Sequence, residues 1–257
     1  MPCFASLVNE LDTLVSPIHR DADGACMDSA VVIPVTRKST CSEQLIRAVA
    51  DRLKPVGDGT GDDTPSERWL NVLTSIPYGL CGVHALKHRQ SLEGKVWGAS
   101  LVAVGICAGL FHASKEDSIF PSQARSICRK LDYWMISAST VSLLRACHPI
   151  TQPPVLLTTL AMIPFEPFKI SATNILAMEV EFARRAYGDS KGHKRNDVLK
   201  RSFHRQLAAA AVGTLFFFAE DAGDTNIPLV HAGWHCLSAY ATAECNTLLK
   251  HLESSSC

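Results

Sequence analysis

The sequence predicts an all-α membrane protein, a bundle of about seven transmembrane helices behind a polar N-terminal arm. Three observations predict it. From Trp69 onward, apolar segments alternate with charged ones. None of them shows the period-2 alternation of a strand. Charged residues make up 19% of the 257 residues, below the roughly 25% of an ordinary soluble domain, and they are segregated between the apolar runs.

Residues 1–65 form the arm. A weak amphipathic helix is expected over Ser42–Leu53, followed by a flexible Gly/Asp-rich linker from Gly57 to Pro65. The acidic Asp58, Asp62, Asp63 and Glu67 read as part of a solvated stretch. The arm lacks a basic start followed by an apolar run, so the first span is expected to act as its own insertion signal. Seven spans are expected over residues 66–250: Trp69–Leu86, Val96–Ala113, Leu131–Ala146, Pro153–Phe165, Ile170–Phe182, Gln206–Ala219 and Ile227–Leu249. Residues 251–257 are a short tail. Several spans fall short of the ~20 residues that cross a bilayer. Such short, polar-flecked segments suit a bundle with an interior site, and a soluble helical protein is the competing reading. Trp69, Trp97, Trp134 and Trp234 lie near span ends and read as interfacial anchors. Glu179 and Glu181 read as interfacial too.

Lys plus Arg total 25, and Asp plus Glu also total 25, which gives no electrostatic reason to expect a nucleic-acid partner. Ten cysteines include no C-x-x-C pair, and Cys81, Cys107, Cys236 and Cys245 sit in apolar runs as small buried hydrophobes. The loops on one side of a seven-span topology, with the C-terminus, carry thirteen Lys and Arg, eight of them between Arg184 and Arg205. The other side carries five: Lys115, Arg125, Arg129, Lys130 and Lys169. The positive-inside rule then expects a cytoplasmic C-terminus and an N-terminus outside or in a lumen.

Ionisable groups at span ends are candidates for function. His231 and His235 open the seventh span at a spacing of i, i+4, which puts both imidazoles on one helix face and suits two ligands of one metal. His112 closes the second span and Asp132 opens the third. In the expected topology all four lie in one layer near one membrane face. Three histidines plus an open position form a catalytic zinc pattern. A soluble HExxH protease is a poor reading, because Ala232 stands where its glutamate base would be.

These pieces resemble a known superfamily. Phe111-His112, Lys130-Leu131-Asp132-Tyr133 and the His231/His235 pair occur in an order shared by the alkaline ceramidases and the adiponectin and progestin receptors, seven-helix zinc membrane proteins. The first two pieces look most like the receptor branch. Glu67-Arg68-Trp69-Leu70-Asn71 and the expected outside N-terminus look more like the ceramidases. The resemblance covers roughly Glu67 to Leu249. It implies zinc on His112, His231 and His235, with Asp132 orienting or deprotonating the attacking water. The sequence departs from the pattern at Ala108, where the family usually has a serine four residues before the first histidine; Ser114, Ser137 and Ser139 do not occupy that position. The ceramidases' acidic calcium cluster is not matched either. The expected function is therefore a zinc-dependent hydrolase of an amide or ester bond in a membrane lipid. The alternative is a receptor-like or scaffold protein that keeps the zinc without turnover.

Overall fold

The start of the first described helix is written in its local chemistry. The Thr64 hydroxyl accepts from the Glu67 backbone N–H and the Glu67 carboxylate accepts from the Thr64 N–H, a capping box with Pro65 in the first turn. That fixes α1 as Pro65–His88. The Ser91 hydroxyl accepts from Gly94 N–H and starts α2, Leu92–Ala113. Five more helices follow: α3 Ser122–Cys147, α4 Pro153–Met162, α5 Pro167–Gly188, α6 His193–Asp221 and α7 Val230–Ser255. The computed structural model describes Asp62 and residues 64–114, 122–148, 153–188, 193–221 and 229–255. The expected Ser42–Leu53 helix, and the linker apart from Asp62, Thr64 and Pro65, lie outside the described residues, which contain no strand.

Six helices close a ring in the order α1, α2, α3, α5, α6, α7 and back to α1, with α4 touching only α3 and α5 among its main neighbours. Most ring neighbours are antiparallel. Two pairs are parallel. Tyr133 of α3 packs on Phe168 at the start of α5, and His148, just past the end of α3, pairs with Glu181 near the end of α5. The chain between Cys147 and Pro167 must therefore travel back along the whole bundle. Likewise Thr74 of α1 meets His235 near the start of α7, and Arg89 at the end of α1 meets Asn246 far along α7.

Only α2, among the described residues, is by itself long and apolar enough to cross a membrane, a property shared with core helices of soluble proteins. The fourth expected span is the ten-residue α4, about 15 Å of helix. The other helices carry polar residues on their inner faces, which dilutes their apolar character. α1 shows the pattern: Asn71, Ser75, Tyr78, Gly82 and Ala85 point inward and are buried, while Leu73, Ile76, Leu80 and Val83 face outward and are exposed.

The main apolar core, including Trp97, Leu101, Met178, Phe182, Leu199, Phe203 and Leu248, fills the end of the bundle where α2 and α6 begin and α1, α3, α5 and α7 finish. Trp97 is thus a core residue rather than the interfacial anchor its position suggested, and Cys236, expected inside, is exposed. Glu181 is also buried, held by Arg184, Arg185 and His148. The opposite end, where α2, α6 and α3 meet the start of α1 and α7, is polar inside.

Candidate metal centre

At that polar end, His112 from the last turn of α2 meets His231 and His235 from the first two turns of α7. All three are buried, at 1%, 8% and 3% exposure. One ring nitrogen from each lies within 4.8 Å of the others. The i, i+4 spacing delivers the α7 pair on one face as expected, with their rings 4.6 Å apart.

The hydrogen bonds of the outer ring nitrogens assign the tautomers. His112 Nδ1 lies 2.9 and 3.1 Å from the two oxygens of Asp62, so it donates to a carboxylate. His231 Nδ1 likewise donates to Glu220 Oε2 at 2.8 Å. His235 Nδ1 lies 3.2 Å from Thr74 Oγ1 and 3.4 Å from Ser75 Oγ. Those two hydroxyls already donate to the backbone carbonyls of Leu70 and Asn71, so they accept from His235. Each histidine therefore carries its proton on Nδ1, and each Nε2 presents a lone pair. His112 Nε2 and His231 Nε2 stand 3.2 Å apart. With no proton on either, that contact cannot be a hydrogen bond. With both rings neutral, two lone pairs face one another, an arrangement that a shared cation stabilises. Two nitrogens at tetrahedral positions on a zinc with bonds of ~2.0–2.1 Å would be ~3.3 Å apart. The donor set thus fits a metal ion, with outer acceptors that orient each imidazole and raise its basicity.

Asp62 is the residue the sequence reading placed wrongly. It is not part of a solvated linker; it is 2% exposed. Besides His112 it accepts from Asn71 Nδ2 and Arg125 Nη2, both at 3.0 Å. Burial by itself would raise its pKa. The bond and charge of His112, together with the bonds from Asn71 and Arg125, outweigh that and hold the carboxyl below the ordinary carboxylate range. Arg125 is further fixed over the Phe111 ring. Glu220, at the end of α6, was also missed. Both had a signal in the sequence: Asp62 stands just ahead of a capping box that anchors it to the mouth of α1, and Glu220 closes an apolar run ending Phe216-Phe217-Phe218-Ala219.

Asp132, about three turns into α3, is not part of the histidine cluster. It is 6% exposed, and its Oδ1 has no hydrogen-bond partner. The Tyr78 ring packs edge-on against His235. Ala108, one turn before His112, is buried. Ser114 and Ser139 donate to carbonyls of their own helix, and Ser137 bonds to Tyr133 and Pro167 between α3 and α5. Below the histidines a cavity of about 200 Å³ runs into the bundle, lined by Tyr78, Leu101, Val104, Met178, Trp234 and Ser238 among others. Trp234 of its wall touches both His231 and His235, so one side chain separates the cavity from the cluster. No family model matches the chain, and no curated protein sequence does either.

Proposed function

We propose that this protein is an integral membrane hydrolase that uses zinc on His112, His231 and His235 to cleave an amide or ester bond in a membrane lipid, as the ceramidase resemblance implies. The observation that carries the reading is the set of three buried Nε2 lone pairs converging on one point, each fixed by an acceptor on Nδ1. The outward apolar face of α1 and the inward cavity support a lipid setting. A zinc ion there would supply Lewis acidity, polarising a scissile carbonyl and easing deprotonation of water.

The chain's own residues do the rest. Asp132 is the base: its unpartnered Oδ1 takes the proton from the attacking water and returns it to the leaving group. Asp62 and Glu220 hold the imidazoles of His112 and His231 in the tautomer that leaves Nε2 free. The apolar cavity takes the acyl chain and, by excluding water, strengthens the polar contacts at its mouth. One feature favours a second reading. Ala108 supplies no hydroxyl where the related proteins carry serine, which suits a receptor-like or scaffold protein with metal and no turnover.

Purified protein should carry about one zinc per chain. A panel of ceramides and other acyl lipids then separates the readings. Under the hydrolase reading the native protein turns over slowly, because loss of one oxyanion donor typically costs on the order of 100- to 1000-fold, and Ala108→Ser accelerates it. His235→Ala should lose zinc and activity together. Asp132→Asn should keep the zinc and lose activity by on the order of 100-fold or more. Full zinc occupancy with no turnover by native protein or Ala108→Ser would leave the receptor-like reading standing.

A further inference from the structure

The cavity inside the bundle and the histidine cluster meet at one side chain. Trp234 lines the cavity and packs against both α7 histidines, its ring 5.3 Å from that of His231 and 5.0 Å from that of His235. Trp234 and Cys245 both belong to the lining, so the cavity follows α7 for roughly 16 Å. No charged side chain lines it. Its length and chemistry suit a hydrocarbon chain.

The indole is held by ring contacts. Phe217 of α6 packs on it at 5.5 Å, beside the two histidines. No hydrogen bond to a described residue fixes its N–H, whereas a half-buried tryptophan usually finds an acceptor. On the α6 side stands Gly213. A Cβ added there would still lie 3.9 Å from Trp234 Cδ1, an ordinary contact distance. The bare glycine therefore leaves beside the indole the space that a methyl group would take. Magnitudes decide what can move it. Ring contacts of this kind are worth about two- to tenfold each in an equilibrium, so giving up three costs at most about a thousandfold. Each methylene that leaves water for an apolar cavity returns about fourfold. About five methylenes then offset the displacement of the indole.

We propose that Trp234 is a gate between the histidine cluster and the cavity, and that it makes the protein selective for long acyl chains. The proposal rests on the reading of zinc at His112, His231 and His235. A lipid held at the cluster by its carbonyl end sends its chain toward Trp234. A chain too short to offset the three ring contacts leaves the indole in place and gains nothing from the cavity. A long chain swings the indole toward Gly213 and fills the cavity beyond it. Trp234 acts on the choice of chain; it neither holds the metal nor moves a proton.

Alkyl hydroxamates test the gate apart from turnover, because the head group binds zinc and only the chain length varies. Full-length, zinc-loaded protein in neutral detergent is titrated with the two-, four-, eight- and twelve-carbon members, with affinities corrected for partition into micelles. Native affinity should stay flat up to about six carbons and rise at least about tenfold from there to twelve. Trp234→Ala removes the gate, so its affinity should rise from the shortest members on. Trp234→Phe, smaller but still aromatic, should fall between the two. Gly213→Ala takes the room beside the indole and should weaken the twelve-carbon member by about tenfold. All variants should bind the two-carbon member within about twofold of native, the sign that fold and metal are intact. A native affinity that rises evenly from two carbons, or never rises, would overturn the gate while leaving the zinc in place. So would a native profile in both Trp234 variants. Binding of no member, with no zinc retained, would remove the metal reading and the gate with it.

Discussion

At the scale of single residues, the candidate metal centre is a problem in tautomers. A histidine ligates through one nitrogen only when something holds the proton on the other. Three different devices do this here: an aspartate ahead of α1, a glutamate ending α6 and a pair of hydroxyls on α1. Asp62→Asn keeps the volume but offers His112 an amide in place of a carboxylate, and it also weakens the hold on Arg125. Zinc affinity, measured by competition with a chromophoric chelator, should fall by roughly 10- to 100-fold. Glu220→Gln should act in the same direction through His231. Glu67→Gln lies on the same segment as Asp62 but outside the centre, and should leave affinity unchanged. The three clustered histidines were legible in the sequence because they stand at helix ends, two of them with a helical spacing. Asp62 and Glu220 carry only a local signal of standing at helix ends; what makes them partners is the approach of α1 to α2 and of α6 to α7, which no spacing within one segment encodes.

At the scale of elements, the approach of α1 to α2 rests on glycines. A Cβ on Gly82 would lie 2.5 Å from the Gly98 carbonyl oxygen and 2.7 Å from Val102 N, both backbone atoms that cannot turn aside. A Cβ on Gly79, one turn earlier on the same helix, would meet nothing within 4 Å. Gly82→Ala should therefore destabilise the protein by about 1–3 kcal/mol, as overpacking does. Gly79→Ala should be neutral or stabilise by about 0.5–1 kcal/mol through helix propensity. Thermal denaturation in one detergent compares the two. The α1–α2 turn is pinned from α7 by Glu253. Burial alone would raise the pKa of that carboxyl, but the donors of Ser91 and Gln90 and the charge of Arg89 bring it below its ordinary value. A depressed carboxylate contributes stability that is present above its unfolded pKa of ~4.3 and lost as pH falls through the folded value. Glu253→Gln should then lower the melting temperature by roughly 2–4 °C at pH 7, and the gap between native and variant should close below about pH 4.

At the scale of the whole molecule, the described residues hold seven helices in the order that the alternation of apolar and charged runs predicts, and six of the seven segments became long helices. The exception, α4, shows the limit of that reading: hydropathy marks a segment as buried or lipid-facing but does not say that all of it is helical. The parallel pairing of α3 with α5 still returns the chain across the bundle through this region, so the alternation of ends survives. The consequence is that every residue of the metal centre falls at one end and the basic residues of the α5–α6 region at the other. If a membrane crosses this bundle, loop charge decides which end faces the cytosol, at a cost of translocation that favours leaving Lys and Arg inside. In sealed vesicles of known orientation, a tag after Cys257 should be accessible from the cytosolic side and a tag at Met1 should be protected. Alkaline carbonate should leave the protein in the pellet. Release into the supernatant would remove the membrane reading. A cytosolic Met1 with retention in the pellet would keep the bundle and turn it over, which would bring the histidines to the cytosolic leaflet and make a cytosolic lipid the substrate to look for.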